Sequence, residues 1–233
     1  NVFASGNALL GDPAPMDLGV GPMGRIYVWD VIPQTLSTTA VAASQTAAGA
    51  GALTLTAGTS AKSVVRADGS TVIQLDCPRA VSITIGAGTI ADTNITVSGY
   101  DYYGQAMSEV IATGTTQSTT VNGKKAFYQV SQVAVGGDCG ATVAVGTTDI
   151  IGLPVRVTDA GYLASVGYNN TLARDAGTFV AAATAAATTT TGDVRGTYVP
   201  SAACDGIKRL VIGILLPAIA VGPNSTRVGA LGV

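Results

Sequence analysis

The stretch VIQLDCPRAVSITIGAGTIADTNITVS, residues 72–98, decides the fold class of this chain. Apolar side chains alternate with polar ones along it three times, at positions 73–76, 81–85 and 95–98. Successive side chains of a β-strand point to opposite faces, so this alternation predicts strands with one buried face. Similar stretches, separated by turn residues, continue over 64–157 at the spacing typical of sandwiches and barrels. We therefore predict an all-β protein built of one or more β-sandwich or jelly-roll-like domains.

Two dipeptides in this region have the composition of tight turns. Asp68-Gly69 and Asn122-Gly123 both lie between strand-like stretches. Glycine and asparagine readily adopt the positive φ angles that a two-residue hairpin turn requires. We expect Asn122-Gly123 to turn residues 119–121 back onto residues 126–135.

Toward the N-terminus the pattern changes twice. The sequence RIYVWDVI, residues 25–32, is apolar on both faces, which predicts a strand buried on two sides. Residues 1–24 are dense in proline and glycine, which predicts an extended arm, with a disordered tail as the alternative. The arm contains five apolar residues that we take as candidate interface residues: Phe3, Leu9, Leu10, Met16 and Leu18.

Toward the C-terminus the sequence is less regular. Residues 159–170, with tyrosines at 162 and 168, are predicted to form a loop. The Ala/Thr-rich residues 176–196 leave two interpretations open, and strand with linker is favoured over helix because charges at helical spacing are missing. Residues 198–199 and 207–216 are predicted to be the last strands.

The chain divides into four parts in this interpretation. Residues 1–24 form the arm and residues 25–158 a β-sandwich core. Residues 159–222 contain further strands, in the same domain or in a second small β domain, and residues 223–233 form a C-terminal tail. The longest apolar run, 210–221, contains Gly213 and Pro217 and is shorter than the ~20 residues that span a bilayer, so no membrane partner is expected.

Composition excludes several classes of function. The chain has no histidine, which is the commonest general base and metal ligand, and only 11% of its residues are charged. The three cysteines, at 77, 139 and 204, form no C-x-x-C pair and are interpreted as small buried apolar residues in a reducing compartment, with one chance bridge left open. A formal net charge of -2 gives no basic stripe, so no nucleic-acid partner is expected.

Two motifs could indicate an enzyme, and neither has the context it needs. Residues 19–24 match G-x-G-x-x-G, but a proline-rich arm precedes them and a strand follows, whereas a dinucleotide site needs a strand before and a helix after. Paired carboxylates can hydrolyse glycosides without histidine. The aspartates at 138, 149, 159, 175, 193 and 205, however, are single and mostly beside glycine or threonine, which is typical of turns. We predict no enzyme, with no catalytic, cofactor-binding or metal-ligating residues.

Three phenols are crowded into one turn between two predicted strands. Tyr100, Tyr102 and Tyr103 lie in the sequence YDYYG. Tyrosine combines a large apolar ring with a polar tip, which suits contact surfaces. We take the three as candidate interface residues, with ordinary packing at strand ends as the alternative.

Six segments share a likeness to one family. They are DCPRAVSIT (76–84), ITVSGYDYYGQAMSEVI (95–111), KKAFYQVSQVAV (124–135), VAVGTTDIIGLPVRV (143–157), GDVRGTY (192–198) and DGIKRLVIG (205–213). In these segments the chain resembles a set of tailed-bacteriophage virion proteins that are commonly encoded near the major capsid protein. The resemblance touches most of the chain after residue 40, does not include the first 24 residues, and consists of short strand and turn phrases.

The resemblance implies a capsid decoration or cement protein, a β-fold that lies on the shell and bridges capsomers. The implied partners are the major capsid protein and further copies of the chain, as a dimer or trimer. The implied location is the capsid surface of the virion, after synthesis in the cytoplasm of the bacterial host. Two alternatives stay open: a tail, head-to-tail connector or fibre-base component, and a carbohydrate-binding β-module on the virion surface.

Overall fold

The computed structural model describes residues 25–88, 93–116, 118–171, 173–183 and 192–216. In these ranges every regular element is a β-strand except for one 3-10 turn at Ala160–Tyr162, so the all-β prediction is confirmed. The predicted arm over 1–24, with its five candidate interface residues, lies outside the described residues. The predicted tail over 223–233 lies outside them as well.

The described part of the chain contains thirteen strands. In chain order they are β1 (Arg25–Val31), β2 (Ala42–Thr46), β3 (Gly51–Ala52), β4 (Ala61–Val65), β5 (Thr71–Ile85), β6 (Asn94–Tyr100), β7 (Ala106–Ala112), β8 (Thr119–Val135), β9 (Thr142–Gly152), β10 (Leu163–Tyr168), β11 (Thr178–Val180), β12 (Thr197–Val199) and β13 (Leu210–Leu216).

These strands form two antiparallel sheets. The main sheet is large and curled, and its path runs β11-β12-β9-β5-β8-β6-β7. Three short strands pair off this path, β2 with β9, β3 with β8 and β4 with β5. The second sheet has the order β10-β13-β1, so the first described strand of the chain pairs with the last.

The long strand β5 changes partners in its middle. It pairs with β4 over residues 71–75 and with β9 from Arg79 onward. Pro78 lies at the changeover, where the missing N–H of proline costs no ladder hydrogen bond. The register with β8 also shifts between Gln74 and Arg79. A bulge of this kind bends a strand. The bend allows β5 to pair with β4 at one end and with β9 at the other end of the curled sheet.

Two hydrophobic cores hold the sheets together. The first core is mainly aliphatic, with Phe127 as its aromatic member. It collects the inward residues of β5, β6, β8 and β9, which include the alternating positions that predicted strands: Ile73, Ile83, Ile95 and Val97. Full burial of each such side chain contributes ~1.5–3 kcal/mol. The second core joins the inner face of the second sheet to residues 151–157 and to β12, with Trp29 at its edge.

The prediction that residues 25–32 form a strand buried on two sides was only partly right. The strand itself is present, but only one of its faces is buried: Trp29 is 5% exposed, whereas Ile26 is 59% and Val28 62% exposed. The apolar residues on both faces therefore do not mean two buried faces here. The inward face belongs to the second core, and nothing among the described residues covers the outward one.

The two predicted turns had different outcomes. Asp68-Gly69 turns β4 into β5 as expected, with Gly69 at φ +85°. Asn122-Gly123 is not a turn, so that prediction was wrong: both residues lie inside β8, which runs unbroken from 119 to 135. At this point β8 bulges, since Ala80 pairs with Ala126 but Ser82 pairs with Asn122.

The C-terminal predictions were partly right. The predicted loop over 159–170 instead contains the 3-10 turn and strand β10, which pairs with β13. In the ambiguous stretch 176–196, the described residues give the short strand β11 and no helix, and residues 184–191 lie outside the description. The last two predicted strands are present as β12 and β13. All three cysteines are buried and free.

Candidate functional site

The turn between β6 and β7, which contains Tyr102 and Tyr103, is held in one conformation by the side chain of Asp101. The Asp101 carboxylate accepts hydrogen bonds from the main-chain N–H groups of Tyr103 and Gln105, at 2.8 and 2.9 Å. Its other oxygen forms a buried ion pair with Arg195 at 2.6 Å. Asp101 thus fixes the conformation of a turn whose two tyrosine side chains are exposed, Tyr102 at 39% and Tyr103 at 46%.

The rings of this turn form a cluster with a tyrosine from β8. Tyr102 contacts Tyr103 and Tyr128, with ring centroids 5.3 Å apart in both pairs, and meets Tyr128 edge to face. The Tyr103 hydroxyl donates to the Pro154 carbonyl at 2.8 Å, which fixes the ring in place. Of the three predicted tyrosines, the structure brings Tyr102 and Tyr103 together in this cluster.

Tyr100 takes a different position at the end of β6. The guanidinium of Arg66 lies over its ring, 3.7 Å from the centroid, in a cation–π contact. The ring is half-buried, and Gln129 of β8 is its cross-strand neighbour. Tyr100 therefore belongs to the sheet surface beside the cluster.

A chain of hydrogen bonds connects the two groups of tyrosines across the main sheet. Arg66 donates to the Gln129 carbonyl at 2.9 Å, Gln129 donates to the Gln74 carbonyl at 3.3 Å, and Gln74 donates to the Tyr128 hydroxyl at 3.3 Å. We call these four side chains the amide–phenol chain. Sequence reasoning missed it because the four residues lie on two strands, β5 and β8, and on the turn after β4, which only the folded sheet brings together.

The phenols of this surface are weak acids. Burial raises the pKa of Tyr103 and of Tyr128, and neighbouring tyrosines raise both further. Burial also raises the pKa of Tyr27. At neutral pH these groups are therefore neutral hydrogen-bonding partners, which suits binding and does not suit nucleophilic chemistry.

A second surface lies on the outward side of the second sheet. Ile26 pairs with Leu215 and Val28 with Gly213, so the exposed side chains of β1 and β13 are neighbours. The small residues Gly213 and Ser165 lie beside them. There is no room for a larger residue at Gly213, because a Cβ there would be 2.7 Å from the Ser165 hydroxyl. We call Ile26, Val28 and Leu215 the outer apolar face.

Charges border the outer apolar face. Arg209 donates through Nε to Asp30 of β1 at 2.7 Å, and its Nη2 atom bonds the other carboxylate oxygen. This hydrogen bond lowers the pKa of Asp30. An apolar centre beside an exposed ion pair is the anatomy of many protein–protein interfaces.

Buried carboxylates occupy the bulge of β8 where a turn was predicted. Glu109, 1% exposed, accepts from the main-chain N–H groups of Lys124 and Lys125, at 2.7 and 3.3 Å. Asp193 accepts from the N–H of Ala126 at 2.8 Å. The two carboxylates thus take the place of a neighbouring strand for three main-chain donors, two of which would otherwise be buried without partners.

Cations balance these carboxylates. Lys125, which is fully buried, donates through Nζ to the Gly192 carbonyl at 3.0 Å, and burial lowers its pKa. Burial raises the pKa of Glu109 and of Asp193. In the described part of the chain, the Nη1 atom of Arg195 has no hydrogen-bond partner, although its guanidinium lies over the Tyr103 ring, 5.4 Å from the centroid. The carboxylates and cations of this network lie inside the fold, where they bond one another and main-chain groups of the same chain.

A second buried cation joins separate segments of the chain. Arg79 is fully buried and donates to both carboxylate oxygens of Asp76, to the Thr148 carbonyl and to the Gln34 carbonyl. It also pairs with Asp149 at 3.3 Å. This cluster holds the changeover in β5 to the loop that follows β1.

Most aspartates noted in the sequence are turn residues, as predicted. Each of the following accepts a hydrogen bond from the main-chain N–H two residues on: Asp138, Asp159, Asp175, Asp193 and Asp205. Among the described residues no group of three or more His, Cys, Asp or Glu is placed to hold a metal ion. No described helix is long and apolar enough to cross a membrane.

The comparisons with known proteins give no relatives. No protein-family model, no curated protein and no solved structure matches this chain.

Proposed function

We propose that this chain is a structural virion protein of the decoration or cement type, which binds an assembled capsid shell through protein–protein contacts and is not an enzyme. The observation that carries the proposal is the outer apolar face. Its exposed isoleucine and valine lie on the same face of one strand, next to an exposed leucine of the neighbouring strand. The resemblance of residues 76–157 to virion proteins supplies the kind of partner.

The shape of the outer apolar face supports contact with a flat protein surface. Large side chains on β1 and β13 stand beside the small residues Gly213 and Ser165, and the Asp30–Arg209 pair borders them. Burying these two side chains, which are 59% and 62% exposed, against a partner removes water from both. The bordering ion pair contributes orientation more than affinity.

The stabilising effect of such a protein follows from linkage. A ligand that binds only the assembled lattice stabilises that lattice by its binding free energy. Modest contacts suffice when a dimer or trimer engages several capsid subunits, because the second contact forms at a high effective concentration. Many bound copies per shell then make the seams between capsid subunits more resistant to rupture.

The proposal is tested by adding purified protein back to particles from which it has been stripped. Ile26→Thr combined with Val28→Thr keeps β-branched side chains but places hydroxyl groups in the interface. Leaving such groups without partners costs ~1–3 kcal/mol each. We expect the wild type to bind the stripped particles and to restore their heat resistance. We expect the double variant neither to bind them nor to change their heat resistance.

The matched control is Ile207→Thr, since Ile207 is 79% exposed but lies outside the second sheet. It should bind like the wild type. Equal binding by the double variant would contradict the assignment of the face. Immunogold labelling of particles separates the locations: label over the head supports decoration, and label confined to the tail or its junction supports the connector or fibre-base alternative.

A further inference from the structure

The amide–phenol chain leaves hydrogen-bonding capacity of both kinds on the surface. A glutamine amide has two N–H donors and two acceptor lone pairs. Gln74 and Gln129 each use one donor and one acceptor within the chain, so one of each remains. The Tyr128 hydroxyl accepts from Gln74, which leaves its own hydrogen available to donate. The orientation of these groups is set before any ligand arrives.

A groove continues this surface beside Tyr100. It has a volume of about 420 Å³ and lies on the β6–β7 hairpin, where Ser98, Ser108 and Ser131 line it together with Tyr100. This volume is within the ~300–1,000 Å³ range of small-ligand clefts. Gly99, Ala106 and Met107 complete its lining, and none of the lining residues has a carboxylate.

Exposed rings complete the surface at the other end. Tyr102 stands edge to face against Tyr128, and the Asp101 turn beneath it is held by an ion pair. Rigid tyrosines supply contact area at little cost in conformational entropy. The C–H faces of sugar rings pack on aromatic rings, and each sugar hydroxyl both donates and accepts, which matches the neighbouring amides.

We propose that Arg66, Gln74, Tyr100, Tyr102, Tyr128 and Gln129 form a binding site for a neutral glycan. The site is built on strands and turns of the main sheet, whereas the outer apolar face lies on the second sheet, where Tyr27 packs toward the second core on the opposite side of β1 from Ile26 and Val28. A protein bound to a shell by one face can therefore bind a polysaccharide with the other. The inference does not depend on the proposed shell binding.

The test is native gel electrophoresis of the full chain in gels that contain one soluble polysaccharide each: dextran, a β-glucan, mannan, galactan and, as the acidic comparison, hyaluronate. We expect at least one neutral polysaccharide to retard the wild type. Tyr102→Ala and Gln129→Leu, which remove the ring platform and the central amide, should each weaken that retardation about tenfold or more, as losses at the centre of a binding site do. Ile207→Ala, an exposed apolar truncation elsewhere, should leave it unchanged.

Four results would overturn the inference. They are no retardation in any gel, retardation by hyaluronate alone, equal retardation of the wild type and both variants, and loss of shell binding in Tyr102→Ala without any glycan binding. The last result would assign the tyrosines to a protein interface. Thermal melting of each variant shows that the fold is intact, and because the two substitutions probe different halves of the site, a folding defect in one leaves the other decisive.

Discussion

Two regions of this molecule invert the usual distribution of side chains, and they do so for different reasons. The bulge of β8 buries a glutamate, an aspartate and a lysine, whereas the outer apolar face exposes an isoleucine and a valine. The buried charges bond main-chain groups of the same chain, so their partners are already present. The exposed apolar residues have no such partner among the described residues. The difference indicates that the first region serves the fold, and it is why we propose the second as a binding surface.

The largest expected effect is a loss of stability, caused by a substitution in the bulge of β8. Glu109→Ala removes the acceptor of one buried and one partly buried N–H group and leaves the buried Lys125 with less compensating charge. Breaking a buried charged network by removing one partner costs ~3–5 kcal/mol. We expect a loss of that size in the free energy of unfolding, measured with guanidinium chloride.

Lys124→Ala is the control, because Lys124 is exposed and only its main-chain N–H takes part in the network. Its unfolding free energy should stay within ~0.5 kcal/mol of the wild type. A loss below ~1 kcal/mol for Glu109→Ala would show that the buried carboxylate is not a main support of the bulge.

A glycine in the same bulge gives the next largest effect. A Cβ on Gly123 would lie 2.4 Å from the Glu109 carboxylate and 3.2 Å from Ile111. Gly123→Ala therefore forces the carboxylate to move, and overpacking of this kind costs ~1–3 kcal/mol. Gly51→Ala is the matched control, because nothing lies within 4 Å of its Cβ position. Equal melting temperatures for the two variants would contradict this description of the bulge.

This glycine also shows what the sequence could predict. Asn122-Gly123 has the composition of a hairpin turn, and the turn fails because the carboxylates of Glu109 and Asp193, distant in sequence, satisfy the donors of an extended bulge. Asp68-Gly69 has no such competitor and forms its turn. Local chemistry predicts a turn correctly only where no long-range partner intervenes.

The same limit applies to the candidate surfaces. Alternation in residues 72–98 predicted strands and their buried faces, and the YDYYG turn located Tyr102 and Tyr103 as neighbours. Which strands become neighbours is a property of the sheet, so the contribution of Gln129 to that surface was invisible. The exposure of Val28 was misjudged because a short apolar run does not reveal whether its second face meets a core or a partner.

The outer apolar face gives a smaller effect on stability. Ile26→Thr and Val28→Thr alter side chains that are already mostly in water, and threonine is favourable in strands. We expect each to change the unfolding free energy by less than ~0.5 kcal/mol. A loss above ~2 kcal/mol in either variant would mean that the face packs within the chain, in which case it is not free to bind a shell.

The smallest effect concerns pH. Lys208, through its side chain and main-chain N–H, and the N–H of Ile207 lower the pKa of Asp205 to about 2. Aspartate in an unfolded chain titrates near ~3.9, so the folded state favours the ionised form. The resulting stabilisation is present above pH ~4 and is lost as the pH falls toward 2. Asp205→Asn should flatten unfolding free energy against pH in that window, and an unchanged slope would refute the assignment.

The central claim is that this chain decorates an assembled shell, and the most direct measurement is its copy number in purified particles, obtained by quantitative gel densitometry against the major capsid protein. The account predicts many copies in a fixed, simple ratio to the capsid protein, with the Ile26→Thr and Val28→Thr double variant absent from the particles. A few copies per particle, or none, would contradict it.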